Sequence, residues 1–269
     1  MPVLLSALCM MQNAYAAQDL IRMRKQGADD RPVFYASTAC HFPVEVAFQL
    51  TKAVNVLSEP RLPARFVIPA GQEVKIFALR ALHPGESLSY AYSYVFTPGD
   101  PGAQHRPPGP YLPPFQKGQR FRIGSGFDPG SQDPYNAHAV SILMPPGTQI
   151  CAARSGILAE IGEQLCRRQT AHGAREERSM QIRILHDDGT MAVYAHLHPG
   201  SAPFSPGTRI REGQGIAVLG SLTLSGASSL VFLIQKNAGM KIVSLPFVFA
   251  DSGGKGVTPV RGMVLNNGE

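Results

Sequence analysis

Apolar residues in this chain gather in short runs, often at alternate positions, and the runs are separated by Gly, Pro, Asn and Asp rather than by polar helix faces. Val33–Ser37, Val44–Leu50, Ala64–Ile68, Glu73–Leu79 and Leu88–Val95 read as strands rich in Val, Ile and aromatic residues. A second series follows: Ala139–Leu143, Gln149–Ala153, Ile157–Ile161, Met180–His186, Thr190–His196, Gly215–Leu219, Leu230–Gln235 and Leu245–Phe249. Helix is suggested only at residues 17–30 and 160–170. The fold class expected is all-β. Between the two series lie Thr97-Pro-Gly-Asp-Pro-Gly and Arg106-Pro-Pro-Gly-Pro-Tyr-Leu-Pro-Pro, too dense in proline for a central strand because proline donates nothing to a ladder. The organisation predicted is therefore an N-terminal β-sandwich-like domain over 17–105, a Pro-rich connector over 106–119, a second antiparallel β domain over 120–252 and a C-terminal tail over 253–269.

Composition supports this picture and removes some functions. Charged residues make up 16% of the 269 residues while Gly (27) and Pro (23) are abundant, a balance that favours strands and turns over helical bundles. A net charge of +6 permits diffuse attraction to acidic polymers, but no basic helix interleaved with aromatics is present, so nucleic acid is not an expected partner. The apolar stretch Val3–Met11 followed by Asn13-Ala14-Tyr15-Ala16 reads as a signal peptide over residues 1–16, and export to the periplasm is expected. The segment lacks the usual Lys/Arg at its start, which leaves a hydrophobic arm as the other reading. No later run approaches the roughly 20 apolar residues of a membrane span. Removal of the leader leaves Cys40, Cys151 and Cys166, and Cys151 and Cys166 are expected to pair across an Ile150–Gln164 hairpin in an oxidising compartment.

Three stretches of the second half carry a resemblance. They are Met144-Pro-Pro-Gly-Thr-Gln-Ile-Cys-Ala-Ala-Arg-Ser-Gly-Ile, His186-Asp-Asp-Gly-Thr-Met-Ala-Val-Tyr-Ala-His-Leu and Gly207-Thr-Arg-Ile-Arg-Glu-Gly-Gln-Gly-Ile-Ala-Val-Leu-Gly-Ser. In this order, and with Ser244-Leu-Pro-Phe-Val-Phe, the region resembles the lysostaphin-type (LytM-like) zinc endopeptidases that cut peptidoglycan cross-links. The resemblance implies an antiparallel β domain with an open groove. It also implies a zinc ion held by a His and an Asp of a first motif and by the second His of a late His-x-His, with two further histidines assisting. Three N/O ligands and an open position give zinc a polarised water and a grip on the scissile carbonyl.

Carried onto this sequence, those positions are largely empty of ligands. Gln132 stands at the first His and Ser141 at the Asp, while Ser229 and Val231 stand at the late His-x-His. Only His196, in Tyr194-Ala195-His196-Leu197, remains. His196-Leu197-His198 imitates the late motif, but Asp-Gly-Thr ahead of it and Gly-Thr-Arg-Ile behind it mark it as the middle one. An alternative zinc set of His138, His196 and His198 stays open at this point. Asp187 and Asp188 read as a hairpin turn rather than a catalytic carboxylate pair. No Gly-x-Ser-x-Gly, Walker loop or Cys-x-x-Cys occurs. The expectation is a catalytically degenerate LytM-like member with no cofactor, a groove built around Gln132, Ser141, His196, Ser229 and Val231, and peptidoglycan or a cell-wall hydrolase as partner. Its competitors are an active metal-dependent endopeptidase with rearranged ligands and a structural or adhesive envelope protein.

Overall fold

A computed structural model describes residues 20–170, 173–221 and 228–268, with the side chains of 164–177 left aside. The expected signal peptide lies outside the described residues. The chain divides into two compact units, one of residues 14–103 with 237–242, the other of the remainder.

In the first unit the strands are β1 (Ile21–Gln26), β2 (Val33–Thr38), β3 (Val44–Val54), β4 (Val56–Glu59), β5 (Ala64–Ile68), β6 (Glu73–Ala81) and β7 (Ser89–Pro98). They form two antiparallel sheets, ordered β1-β2-β6-β4 and β5-β3-β7. Alternation supplies the core: Phe34, Phe48 and Phe77 are buried, and Tyr92 meets all three rings at centroid distances of 5.4–6.3 Å. The helix expected within 17–30 is instead β1, paired residue by residue with β2 from Ile21↔Thr38 to Gln26↔Val33.

The second unit contains β8 (Arg120–Ser125), β9 (Val140–Leu143), β10 (Gln149–Cys151), β11 (Gly156–Thr170), β12 (Gly173–Leu185), β13 (Met191–Leu197), β14 (Arg209–Ile210), β15 (Gly215–Val218), β16 (Ser229–Asn237), β17 (Ile242–Leu245), β18 (Phe249–Ala250), β19 (Gly256–Val257) and β20 (Val264–Asn266). One antiparallel sheet runs β14-β11-β12-β13-β16-β9-β8-β20, with β17 also on β16. The second helical suggestion, 160–170, is overturned. Pairing of β11 with β12 continues out to Thr170↔Gly173, and a partner along the whole segment outweighs local propensity. The expected tail contributes β20, paired with β8, and the Pro-rich segment places Tyr111 and Phe115 in the core.

Glycines sit where side chains are excluded. Gly189 takes φ +81° at the turn between β12 and β13, and a Cβ on Gly156 would lie 2.3 Å from the Leu185 carbonyl oxygen. The expected Cys151–Cys166 disulfide does not form. Cys151 is a free, buried thiol on β10, whose partner is β15, and no hairpin joins Ile150 to Gln164. The backbone at Cys166 is opposite Glu177, ten residues along β11 from Gly156. At about 3.3 Å per residue that is roughly 33 Å of strand, far more than the five residues from Cys151 to Gly156 can fold back over.

Candidate functional site

The two faces of the large sheet differ in character. Ala192, Tyr194, Leu230, Phe232, Ile234, Val140 and Ile142 point into the main core. Period two sends their neighbours Val193, Ala195, Val231, Leu233, Ser229 and Ser141 to the other face, where Val193, Ala195, Val231 and Leu233 form a separate apolar cluster. His196 joins this face through a bulge. Met180 pairs with Leu197 and Ile182 with Tyr194, so Ala195 and His196 together oppose Gln181, and His196 takes φ +68°.

Four of the five expected groove residues therefore meet on β13, β16 and β9. Val231 is opposite Ala195 on one side and Ser141 on the other. The His196 ring donates from Nδ1 to the Ser229 carbonyl at 3.0 Å, and burial, opposed by this bond, lowers its pKa. Ser141 Oγ accepts from Ser125 Oγ at 2.7 Å. Gln132 is exposed in the loop between β8 and β9. The alternative metal set is dispersed in its bonding: His138 donates from Nδ1 to the Ser244 carbonyl at 3.1 Å, with its ring edge-on to Phe127, and His198 is exposed past the end of β13.

These side chains do not fit zinc. One buried imidazole with a nitrogen already committed, two hydroxyls and a valine fall short of the three strong N/O donors that a catalytic site requires. Among the described residues no group of three His, Cys, Asp or Glu side chains is placed to hold a metal ion.

The apolar part of this face is covered. Val231 is 3% exposed, and Tyr135 and Ala139, from the loop ahead of β9, pack on the apolar cluster. Ser244 on β17 pins that loop: its Oγ donates to the Pro134 carbonyl and accepts from the His138 N–H, both at 3.0 Å, and its own N–H reaches the same Pro134 carbonyl at 2.9 Å. Ser244→Ala removes both hydroxyl bonds and is expected to cost about 1–3 kcal/mol. Hydrogen exchange is expected to accelerate at Tyr135–Ala139 before the core strands respond.

Residues 135–242 match peptidase family M23. The match covers less than half of the chain. Gln132 lies just ahead of the match. Among solved structures, lysostaphin is 26% identical over 44% of this chain and 45% of its own, with a TM-score of 0.31. The catalytic domain of the prophage-encoded M23 protein EnpA from Enterococcus faecalis is 18% identical over 55% of this chain and 95% of its own, with a TM-score of 0.32. Helicobacter pylori Csd3 is 17% identical over 88% of this chain and 49% of its own, with a TM-score of 0.34. The chain thus spans about half the length of the lysostaphin and Csd3 chains it matches. No curated protein matches the sequence.

A second polar centre of the second unit was not visible in the motifs. Arg154, buried after β10, donates from Nη1 to Asp188 Oδ2 at 2.7 Å and from Nη2 to Asp187 Oδ1. Asp188 also accepts from the Thr190 hydroxyl at 2.6 Å, the Thr190 N–H at 3.0 Å and the Arg106 N–H at 3.0 Å. Burial pushes its carboxyl upward, but the bonds from Arg154, Thr190 and Arg106 prevail and hold it well below the usual carboxylate range. Asp187 and Asp188 are a hairpin turn, as read, and Asp188 also ties the Arg106 end of the Pro-rich segment to it.

Proposed function

We propose that this chain is a non-catalytic, zinc-free M23-domain protein of the cell envelope, exported to the periplasm, which binds peptidoglycan or regulates a cell-wall hydrolase through the face carrying Ser141, His196, Ser229 and Val231. One observation carries the reading: Val231 and Ser141 are register partners at the positions where the family resemblance calls for ligands, so the sheet brings together a hydrocarbon and a hydroxyl. Hydrolysis has no activated participant in that arrangement. A neutral imidazole donating to a backbone carbonyl leaves water unpolarised, and its Nδ1, spent on the Ser229 carbonyl, has no orienting acid of the kind a nucleophilic serine's base requires.

The full chain, purified without chelator, is expected to carry far less than one zinc per molecule and to release no soluble fragments from purified peptidoglycan, while sedimenting with the wall or stimulating a wall amidase. Stoichiometric zinc and fragment release, both abolished by His196→Ala, would establish the endopeptidase instead. Unchanged wall or amidase binding by folded Ser229→Arg would move the working surface away from this face and favour an adhesive role for the first unit.

A further inference from the structure

Beside His196, β12 sends to the groove face two polar side chains that have no hydrogen-bond partner among the described residues. Gln181 is 1% exposed, and neither its Nε2 nor its Oε1 is hydrogen-bonded; Ser179 is 0% exposed and its Oγ is likewise unpaired. Met180 and Ile182, which flank Gln181, enter the main core, so the alternation leaves no doubt about the face. Across the sheet, the register row through Gln181 runs from Gly162 on β11, through Ala195–His196 on β13 and Val231 on β16, to Ser141 on β9 and Ser125 on β8. On β11 the amide faces Gly162, and on β13 it faces the bulge pair Ala195 and His196. A buried amide with both polar atoms unpaired, beside a buried imidazole, is a candidate recognition element.

We propose that Gln181, with Ser179 beside it, reads the backbone of an extended peptide laid along this row, Nε2 donating to the C=O and Oε1 accepting from the N–H of one and the same residue. The geometry selects that ligand. In extended chain the N–H and C=O of a single residue point to the same side, as they do when two strands exchange both bonds, and a side-chain amide matches that pair. A sugar acetamido group is a planar trans amide whose N–H and C=O point in opposite directions, so it offers Gln181 only one bond. A buried amide with both atoms unpaired is costly, and a ligand that pairs both removes the cost. The inference rests on the groove-binding reading above and names the ligand chemistry of that face. The Tyr135–Ala139 segment packs on Ala195 and Val231 of the same row, so a peptide laid along that row displaces it and meets the Ser244 pin.

The experiment uses the full chain and three probes: blocked tetra-alanine, its depsipeptide with one N–H replaced by ester oxygen, and N,N′-diacetylchitobiose. Gln181→Leu is expected to weaken tetra-alanine binding about tenfold or more, the loss of two hydrogen bonds, while its melting temperature holds or rises because an unpaired polar group has been removed. The depsipeptide is expected to bind wild type more weakly than tetra-alanine does and to lose that difference in Gln181→Leu. Ser244→Ala is expected to speed peptide association. Equal tetra-alanine binding by wild type and Gln181→Leu would mean that Gln181 holds ordered water only and would overturn the proposal. So would diacetylchitobiose binding that alone depends on Gln181, or failure of wild type to bind tetra-alanine. Sedimentation with purified peptidoglycan is scored separately: Gln181-dependent peptide binding without wall or amidase binding would sink the envelope reading and leave this one standing, and the reverse result would do the opposite.

Discussion

Arg154→Ala is expected to lower the unfolding free energy by about 3–5 kcal/mol, the range for removing one partner of a buried ion pair. The size follows from what remains. Asp188 has a side chain only 8% exposed, and its carboxylate would keep the Thr190 and Arg106 donors but lose the countercharge. Asp187 contributes little, since its side chain is 85% exposed and solvent screens the pair. The matched control is the double variant Arg154→Met, Asp188→Asn. It removes both charges while keeping bulk and hydrogen-bonding capacity, and it is expected to recover a large part of the loss. Denaturant unfolding of the three proteins at neutral pH measures this. A loss below about 1 kcal/mol for Arg154→Ala would show that the pair is a solvated surface contact rather than a buried one.

The network also explains why part of the molecule was legible in sequence and part was not. Turn glycines, period-two strands and the three M23-like stretches are local signals, and each corresponds to a strand or turn of the second unit. The positions of Ser141, Ser229 and Val231 could be carried over because spacing from those stretches is itself local. Arg154 and Asp188 are 34 residues apart and meet only because Arg154 and the β12–β13 turn close on one another. No motif marks such a pair. The two helical suggestions failed for a similar reason: Ile21–Gln26 and Gly156–Thr170 have neutral local preferences, and a complete antiparallel partner settles them as strand. The disulfide expectation treated Ile150–Gln164 as one hairpin, whereas β10 leaves to pair with β15 and β11 begins a different sheet. The cover over the apolar cluster was equally invisible. That cover depends on Ser244, more than a hundred residues from the loop it holds.

Acid sensitivity centred on His186 follows from burial on the same hairpin. Its ring is 3% exposed, Nδ1 donates to the Ser155 carbonyl at 2.9 Å, and Nε2 is buried without a partner. Burial, only partly opposed by the Ser155 bond, pushes its pKa down to about 4; the charges facing it are Arg154, which lowers it further, and Asp188 and Asp187, which raise it. The unfolded chain takes up this proton near pH 6.5 and the folded chain does not until about pH 4. Stability is therefore complete above pH 6.5 and declines as the pH falls towards 4, because the unfolded state is then the one that binds the extra proton. From the two pKa values the loss is about 2 kcal/mol by pH 5 and about 3 kcal/mol by pH 4. His196 and His105, whose pKa values are also lowered by burial, act in the same direction. Asp188 does not blur the upper part of the window. Its folded carboxylate stays ionised there, and its own contribution is lost only below the ordinary carboxylate range. Denaturant midpoints between pH 7.5 and 5 are expected to fall for wild type and to flatten in His186→Gln, which cannot take up a proton in either state. An unchanged slope in that variant would assign the acid sensitivity elsewhere and remove the buried imidazole from the account.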